Sequence, residues 1–319
     1  MSILSALNDP VFAGFLAASM RLAIPIMLAA LGGLFAERSG VLNIGLEGMM
    51  LVGAFVGFVV TFATGHLVIG VIAAILSGAV TGLLLGLYTI TLAANQVVVG
   101  ISLNLLSVGV TSYLYRSFFG AATDRPRIEP FAAVDFGSLG DLPLIGPLLF
   151  RQDMLAYLGL VLIVITWFVV KKTRFGLNIR SVGEHPEAAE TLGVDVIQTR
   201  YVAIALSGAL ASLGGAFLSL SATGVFLDNM TAGRGYIALA ILILGRRHAI
   251  GVLFAALLFG SADALQLRAQ LLPINVPLQF LLMLPYVLTI VVLAGFAGRQ
   301  GTPAALGLPF RRSGSKKDD

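Results

Sequence analysis

Long apolar segments recur along this 319-residue chain, and they restrict the kinds of fold it can form. A helix needs about 20 apolar residues to cross the roughly 30 Å hydrocarbon core of a bilayer, and most segments reach about 18 to 25 residues. They lack the period-two alternation of membrane strands. Nine segments are predicted, one of them short, at residues 11–35, 47–64, 67–92, 96–118, 154–171, 201–222, 235–246, 249–266 and 277–297. The sequence therefore predicts an all-α, polytopic membrane helix bundle.

Composition supports this class and excludes others. Hydrophobic residues make up 58% of the chain, charged residues 11%, and the mean hydropathy is +0.96, outside the usual range of soluble globular proteins. No cysteine is present, so the fold uses neither disulfides nor thiolate metal sites. Residues 1–10 lack a basic start and a cleavage pattern, so we expect the first apolar segment to be retained as a helix.

Basic residues predict the orientation. The polar segment 171–200 holds five basic and four acidic residues between long apolar segments, so it lies outside the hydrocarbon. If it is cytoplasmic, Arg246 and Arg247 and the basic residues of the tail at 299–319 fall on the same side; these tail residues are Arg311, Arg312, Lys316 and Lys317. The basic pI of about 9.6 then reflects orientation and not nucleic-acid binding. The proline-containing loop 119–153 and the N-terminus are expected outside, unless a broken segment in the first hundred residues adds a crossing.

Glycine spacing indicates close helix packing. Gly78, Gly82 and Gly86 repeat every four residues, and Gly53 with Gly57 forms a second small pair. Small residues on one helix face allow two backbones to approach closely in a membrane. We interpret these faces as packing surfaces without direct contact to a solute.

One helix is predicted to carry a polar face. Gln96, Gly100, Asn104, Ser107 and Thr111 follow steps of four, four, three and four, which places them within an arc of roughly 80° on a helix. Polar side chains in hydrocarbon need partners. This face either lines a solute pathway or hydrogen-bonds to neighbouring helices, and the spacing alone favours neither.

Asn43 and Glu47 form a second polar element. They stand four residues apart in a run that contains Gly40, Gly45 and Gly48, which permits a broken or re-entrant backbone in the N-terminal half. An ionisable residue inside a membrane segment is a functional candidate by default. Glu47 is therefore expected to line a pathway or to stabilise a helix break, the alternative being an interfacial cap that reaches water.

The second half contains a looser echo of this element. Gly224 and Val225 precede Asp228, Asn229 and Arg234, and the short apolar segment follows. Transporters with internal repeats carry such interrupted polar elements near their binding sites, although a match this weak also arises by chance. A further polar edge formed by Asp263, Gln266 and Gln270 is interpreted as a solvated helix end.

Enzymatic and metal sites are not predicted. His66, His185 and His248 lie far apart in sequence without metal-ligand spacing. The chain also lacks the Gly-rich loop ending in Lys and Ser or Thr that cradles phosphates. Any nucleotide energy must therefore come from another polypeptide.

Within 171–200, the residues after Gly183 predict a complete short helix. Pro186 suits the first helical position, Glu187 favours the positive N-terminal end, and Gly193 suits a left-handed cap. Such a helix is about seven residues and roughly 10 Å long. It is marginal alone and needs a docking partner or the bundle to hold it. Its small apolar face is expected to fit a partner's groove and consists of Ala188, Ala189 and Leu192.

Two motifs together resemble a known family. Glycine, proline, the alanine pair and glycine at 183–193, followed by Ser207-Gly208-Ala209-Leu210-Ala211 and Gly214-Gly215, resemble the cytoplasmic coupling loop and next helix of ATP-binding cassette (ABC) importer permeases of the ribose and branched-chain amino acid type. The run Glu37-Arg38-Ser39-Gly40-Val41-Leu42-Asn43-Ile44-Gly45-Leu46-Glu47-Gly48-Met49-Met50 is closer to the nucleoside and simple-sugar branch. The resemblance covers residues from about 11 to 298. One departure is His185, where the family usually carries asparagine.

The resemblance implies a single permease domain over 1–319 with about ten helices, hence one broken element beyond the nine segments. It implies a second permease subunit, either a paralogue or a second copy, two cytoplasmic ATPases that use ATP and Mg²⁺, and an extracytoplasmic binding protein or lipoprotein. The loop 119–153 would face that binding protein. The chain itself would carry no cofactor and no catalytic residue. Coupling to the ATPase would involve Gly183, His185, Pro186, Glu187, Ala188, Ala189, Leu192 and Gly193.

The substrate implied by the closer branch is a nucleoside, especially a purine nucleoside, with a simple sugar such as a pentose second. Phe55 and Phe58 are aromatic residues that a base could stack on, or they face lipid. A rival class is an ion-coupled secondary transporter that uses Glu47 or Asp263 as its ion site. A purely structural membrane protein is the other alternative.

Overall fold

The computed structural model describes residues 10–120, 126–134, 150–270, 277–296 and 301–310, with positions 136, 137, 140 and 146. In these ranges the chain is an all-α polytopic helix bundle. Its helices are α1 Pro10–Arg38, α2 Leu46–Thr64, α3 Leu67–Gly86, α4 Gln96–Phe119, α5 Met154–Lys172, α6 Arg174–Glu184, α7 Pro186–Thr191, α8 Val196–Phe217, α9 Arg234–Leu244, α10 Ala249–Ala269, α11 Leu278–Leu282 and α12 Leu284–Phe296. The π-helical segments Leu87–Thr91 and Leu218–Thr223 extend α3 and α8.

Seven helices in the described part of the chain are long and apolar enough to cross a membrane. All nine predicted apolar segments are helical, and their bounds differ from the prediction by a few residues at most ends. Two segments are shorter than a span. α9 has 11 residues, or about 16 Å, and the final segment is interrupted at Met283.

The expected break in the N-terminal half is the turn 39–45 between α1 and α2. This turn adds no crossing, and residues 10–120 contain only the four long helices α1 to α4. The implied tenth membrane segment is therefore not found in that range. The turn is irregular backbone enclosed by protein, the only setting in which such backbone is tolerated at membrane depth.

Cationic side chains gather at one end of the bundle. Arg38, at the end of α1, donates from Nε and Nη2 to the carbonyl oxygen of Arg247, at 3.1 and 2.9 Å. Burial lowers the pKa of His248 below its ordinary value, and nearby Arg38, Lys171 and Arg180 lower it further. This end carries the segment 171–200, and by the positive-inside rule we expect it to be the cytoplasmic end. The tail residues Arg311, Arg312, Lys316 and Lys317 lie outside the described residues.

α1 begins at the opposite end of the bundle. There the guanidinium of Arg268, at the end of α10, lies 5.6 Å from the centroid of the Phe15 ring. The loop residues Ile128 and Phe131 reach the same end, where their amides donate to the carbonyl oxygens of Gly224 and Leu220. The start of α1 thus lies at the same end as the described part of the 119–153 loop, as expected. That this end faces the extracytoplasmic side stays a prediction. Residues 1–9 and much of that loop lie outside the described residues.

α8 is the central helix, packed against α1, α2 and α3. Gly78 and Gly208 meet face to face, since a Cβ on either residue would overlap the carbonyl oxygen of the other. Gly82 lies equally close to the carbonyl of Ile204, and Gly53 lies against the backbone of Ser212. The predicted glycine faces are therefore packing surfaces, as small residues allow between membrane helices.

Candidate functional site

The turn 39–45 encloses polar backbone within the bundle. Gly40 adopts a φ of +84°, which favours glycine, and Val41 and Asn43 are fully buried. The amide of Leu42 donates to Oε1 of Gln96 at 2.6 Å. Asn43 donates from Nδ2 to Ser207 Oγ at 2.9 Å. Gln96 and Asn43 thus attach the turn to α4 and α8.

Glu47 joins the two interrupted elements of the chain. Its Oε1 accepts from the amide of Gly233 at 2.8 Å, and its Oε2 accepts from the amide of Gly235 at 2.6 Å. Both amides belong to the first turn of α9, where helix N–H groups have no partner within the helix and a negative charge is stabilised. Gly235 has no room for a Cβ because the backbone of Glu47 touches it. Glu47 therefore stabilises a helix break, one of the two roles expected of it.

The predicted polar face of α4 packs on the same turn. Asn104 Oδ1 accepts from the amide of Gly48 at 2.8 Å, and its Nδ2 donates to the carbonyl of Ile44 at 3.0 Å and to the hydroxyl of Tyr236 at 2.9 Å. Gly100 abuts Ile44 closely enough to exclude a Cβ. Interhelical hydrogen bonding thus accounts for Asn104 and, through Leu42, for Gln96.

The outer part of this face has different partners. Ser107 and Thr111 are buried, and each hydroxyl donates to the carbonyl four residues earlier in its own helix, at 2.7 Å. Their hydroxyl oxygens keep the capacity to accept a hydrogen bond. The polar residues around the turn are called the polar cluster below and comprise Asn43, Glu47, Gln96, Asn104, Ser107, Thr111, Ser207 and Tyr236. Tyr236 is the exposed member of the cluster, at 47%.

Sequence reasoning missed Tyr236 and Ser207. An isolated tyrosine or serine in an apolar helix carries no pattern that marks its partner.

Asp263 does not lie at a simple solvated helix end. It lines a cavity of about 330 Å³ together with Arg234, Gln266 and Tyr286, between α9, α10 and α12. The guanidinium of Arg234 donates from Nη1 to the carbonyl oxygens of Met230 and Thr231. Within the described residues, no group of three or more metal-ligating side chains is placed to hold a metal ion.

Phe55 and Phe58 are buried in the bundle, at 5% and 0% exposure, so neither faces lipid. Phe55 packs edge-on against Phe226, and Phe58 contacts the ring of Phe119. Both therefore belong to an aromatic cluster near the extracytoplasmic ends of α2 and α4.

The cytoplasmic segment 171–200 forms two helices. α6 is amphipathic and was not predicted; Thr173 caps it by accepting from the amide of Gly176. The short helix α7 begins at Pro186 as predicted, and Gly193 follows it with a φ of +85°. The proline start and the left-handed glycine cap are thus confirmed.

The faces of α7 differ from the expectation. Ala189 is only 2% exposed and packs against Val182 and Val196 of its own chain. Ala188 points outward, and Leu192 is 85% exposed. The expectation of one exposed face for all three residues is wrong for Ala189, because α7 needs an apolar contact to hold so short a helix. Ala188 and Leu192 remain available to a partner.

These features define a membrane transport subunit: a bundle with a buried polar cluster at two helix breaks and a cytoplasmic helix that presents a small apolar face. The chain belongs to the family described as the permease component of branched-chain amino acid transport systems, whose model matches residues 15–293. With its membrane-spanning helices, it is a multi-pass transport permease of the cell inner membrane.

Three relatives are similar over most of their length. The guanosine ABC transporter permease protein NupQ of Bacillus subtilis is 40% identical, covering 92% of this chain and 95% of the relative. A putative glucose ABC transporter permease protein of Haloferax volcanii is 39% identical, covering 88% and 91%. The nucleoside ABC transporter permease protein NupC of Lactococcus lactis is 36% identical, covering 91% and 94%. No solved structure matches the chain.

Proposed function

We propose that this chain is the transmembrane permease subunit of an ABC importer that takes up purine nucleosides delivered by a binding protein. The observation that carries the substrate class is the similarity to guanosine and nucleoside permeases, at 40% and 36% identity over nearly the whole chain. The run 37–50, which resembles that branch, contains the turn 39–45 that Gln96, Asn104 and Ser207 hold.

The solute pathway in this proposal follows the polar cluster. Asn104, Ser107 and Thr111 carry the polar face of α4, and Tyr236 extends it to an exposed position. The exposed Tyr236 hydroxyl and the acceptor capacity left on the Ser107 and Thr111 hydroxyls suit the hydroxyl groups of a ribose. The Asn104 amide is already bonded to Gly48, Ile44 and Tyr236, so in this proposal it positions the Tyr236 hydroxyl. Asn43 and Gln96 fix the turn 39–45, and Glu47 fixes the start of α9 against it. In this proposal these three residues determine the shape of the pathway.

Coupling to the ATPase is proposed for the outward side of α7. Ala188 and Leu192 form its exposed apolar contact, with His185 and Glu187 beside them. Gly183, Pro186, Ala189 and Gly193 shape the helix and hold it on the bundle. The partner ATPase would bind ATP and Mg²⁺, and this chain would carry no catalytic residue and no cofactor.

The rest of the machinery is proposed from family membership. A second permease subunit, a paralogue or a second copy, would complete the membrane part. A binding protein or lipoprotein would deliver the solute at the extracytoplasmic end, where the described parts of the 119–153 loop pack on α8.

Reconstitution tests this proposal. The chain, its ATPase, the second permease and the binding protein are placed in proteoliposomes with internal ATP, and uptake of labelled guanosine, ribose and glucose is measured. We expect guanosine uptake that requires ATP. Uptake by the chain alone, driven by an ion gradient, would instead establish a secondary transporter.

A variant pair tests the docking helix. Ala188→Glu with Leu192→Glu places two charges on the exposed face and is expected to abolish uptake while the protein stays folded in the membrane. Ala188→Ser is the matched control, because it keeps a small side chain at the same position. Full uptake by the double Glu variant would contradict docking through α7.

A simple sugar is the second candidate substrate, favoured by the 39% identity to a putative glucose permease. Uptake measured in the same proteoliposomes distinguishes a nucleoside substrate from a sugar substrate. Uptake of ribose or glucose without uptake of guanosine would replace the nucleoside by a sugar and leave the coupling scheme intact.

A further inference from the structure

The C-terminal segment 301–310, here called the strap, lies across the cytoplasmic end of the bundle. The amide of Ala305 donates to the carbonyl of Gly183 at 2.9 Å, and the amide of Gly307 donates to the carbonyl of Gly40 at 3.1 Å. Gly183 precedes α7, and Gly40 belongs to the turn 39–45. The strap thus connects the proposed docking helix with the turn that bears the polar cluster.

The end of the strap also packs behind α7. Phe310 contacts a small apolar cluster of Val182, Ala189 and Val196, in which Ala189 is the inward-facing residue of α7. A shift of α7 would therefore move the ring of Phe310, since close-packed side chains cannot yield independently.

Arg200 forms hydrogen bonds with both the strap and the turn 39–45. It is only 1% exposed, and it donates from Nε to the carbonyl of Ser39 and from Nη1 to the carbonyl of Leu308, both at 3.2 Å. Its guanidinium carbon lies 5.9 Å from the centroid of the Phe310 ring. The rigid fork of arginine allows one side chain to address two backbone segments at once, which a lysine ammonium does less well.

Gly40 allows this close arrangement. A Cβ at this position would lie 3.0 Å from Nη2 of Arg200 and 3.1 Å from the carbonyl oxygen of Ala305. From Gly40 the turn continues to Leu42 and Asn43, which bind Gln96 and Ser207. The contacts between α7 and the polar cluster are therefore continuous through the strap.

We propose that the strap carries movement of α7 to the turn 39–45, with Arg200 as the positioning residue that locks the two together. This inference rests on the proposed docking of an ATPase at α7. Movement of α7 on ATP binding would pass through Phe310 and Ala305 to Gly40, and the turn would then change the solute pathway. Packed side chains and hydrogen bonds of this kind carry energetic coupling between distant sites when they have two discrete arrangements.

Two truncations form a matched test in the reconstituted four-component complex. Deletion of 311–319 removes the charged tail and keeps the strap, whereas deletion of 301–319 removes both. The measured quantity is the ratio of ATP hydrolysis with the guanosine-loaded binding protein to ATP hydrolysis without it. We expect the shorter deletion to keep the wild-type ratio. The longer deletion should bring the ratio to about one and reduce guanosine uptake at least tenfold, with basal hydrolysis retained.

Arg200→Lys and Arg200→Gln give a second measurement that leaves the strap in the chain. In assembled complexes we expect both to lower the stimulation ratio, Lys less than Gln because it keeps the charge. A strap that serves only stability would lower thermal stability and leave the ratio unchanged in these variants, and that result would overturn the proposal. If the longer deletion fails to assemble, the Arg200 variants decide alone.

The double variant Ala188→Glu with Leu192→Glu separates failure of this inference from failure of the proposed function. If it loses stimulation while the strap and Arg200 variants keep it, α7 docks the ATPase and the strap does not transmit. If the double variant also keeps stimulation, docking at α7 itself is wrong.

Discussion

Removal of the Glu47 carboxylate should loosen the junction between the two interrupted elements. In Glu47→Ala the amides of Gly233 and Gly235 both lose their acceptor. Glu47 is 5% exposed, so water replaces it poorly. Each buried donor left unpaired costs about 1–3 kcal/mol, and loss of a negative charge at a helix N-terminus adds up to about 2 kcal/mol. We expect a destabilisation of about 3–6 kcal/mol.

The replacement Glu47→Gln should lower the free energy of unfolding less than Glu47→Ala does. Glutamine offers one carbonyl oxygen, so it satisfies one of the two amides and opposes the other with its own N–H groups. The expected cost is about 2–3 kcal/mol, since hydrogen bonds to a charged acceptor are stronger than neutral ones. Thermal unfolding in detergent should therefore rank wild type above Gln and Gln above Ala, with Ala lowered by at least about 5 °C.

The control is Glu129→Gln in the described part of the 119–153 loop, an exposed glutamate outside any helix whose replacement should leave the unfolding midpoint unchanged. An Ala variant at Glu47 within about 0.5 kcal/mol of wild type would refute the reasoning, because surface substitutions alone have effects of that size. It would mean that the first turn of α9 finds other partners.

Two further predictions concern the bundle. Gly78→Ala should lower the unfolding midpoint because a Cβ overlaps the backbone of α8, whereas Gly109→Ala, with open space around the position, should leave it unchanged or raise it. Glu37 and Arg247 form an ion pair whose side chains are 3% and 6% exposed, so Glu37→Gln should cost about 3–5 kcal/mol. Replacing both by methionine should recover most of that loss; equal instability of the double variant would show that packing, not the unpaired charge, dominates.

The spans and the short helix α7 could be predicted because their signals are local. A span needs about 20 apolar residues in a row, and that requirement is visible in any window of the chain. The start of α7 at Pro186 and its end before Gly193 follow from the missing N–H of proline and the positive φ of glycine. α6 was not predicted because its many polar residues indicated a loop, whereas they form the polar face of an amphipathic helix.

The direction of a side chain on a short helix could not be predicted. Ala188 and Ala189 are adjacent alanines with the same chemistry, and only the packing of α7 on Val182 and Val196 turns one inward. For the same reason the polar face of α4 was visible in the sequence while its partners were not. Spacing identifies a face, and the fold decides what that face meets.

The sequence by itself determined the class of protein and the positions of the helices, and it predicts their orientation, because hydrocarbon imposes length, composition and charge rules on each segment separately. The tertiary structure alone decided which polar groups meet. Glu47 finds its partners 186 and 188 residues away, and Arg200 reaches Ser39 and Leu308 across 161 and 108 residues. Such pairs leave no local pattern, since a buried polar atom costs free energy unless it meets a hydrogen-bond partner, and only the assembled bundle brings these partners to one place.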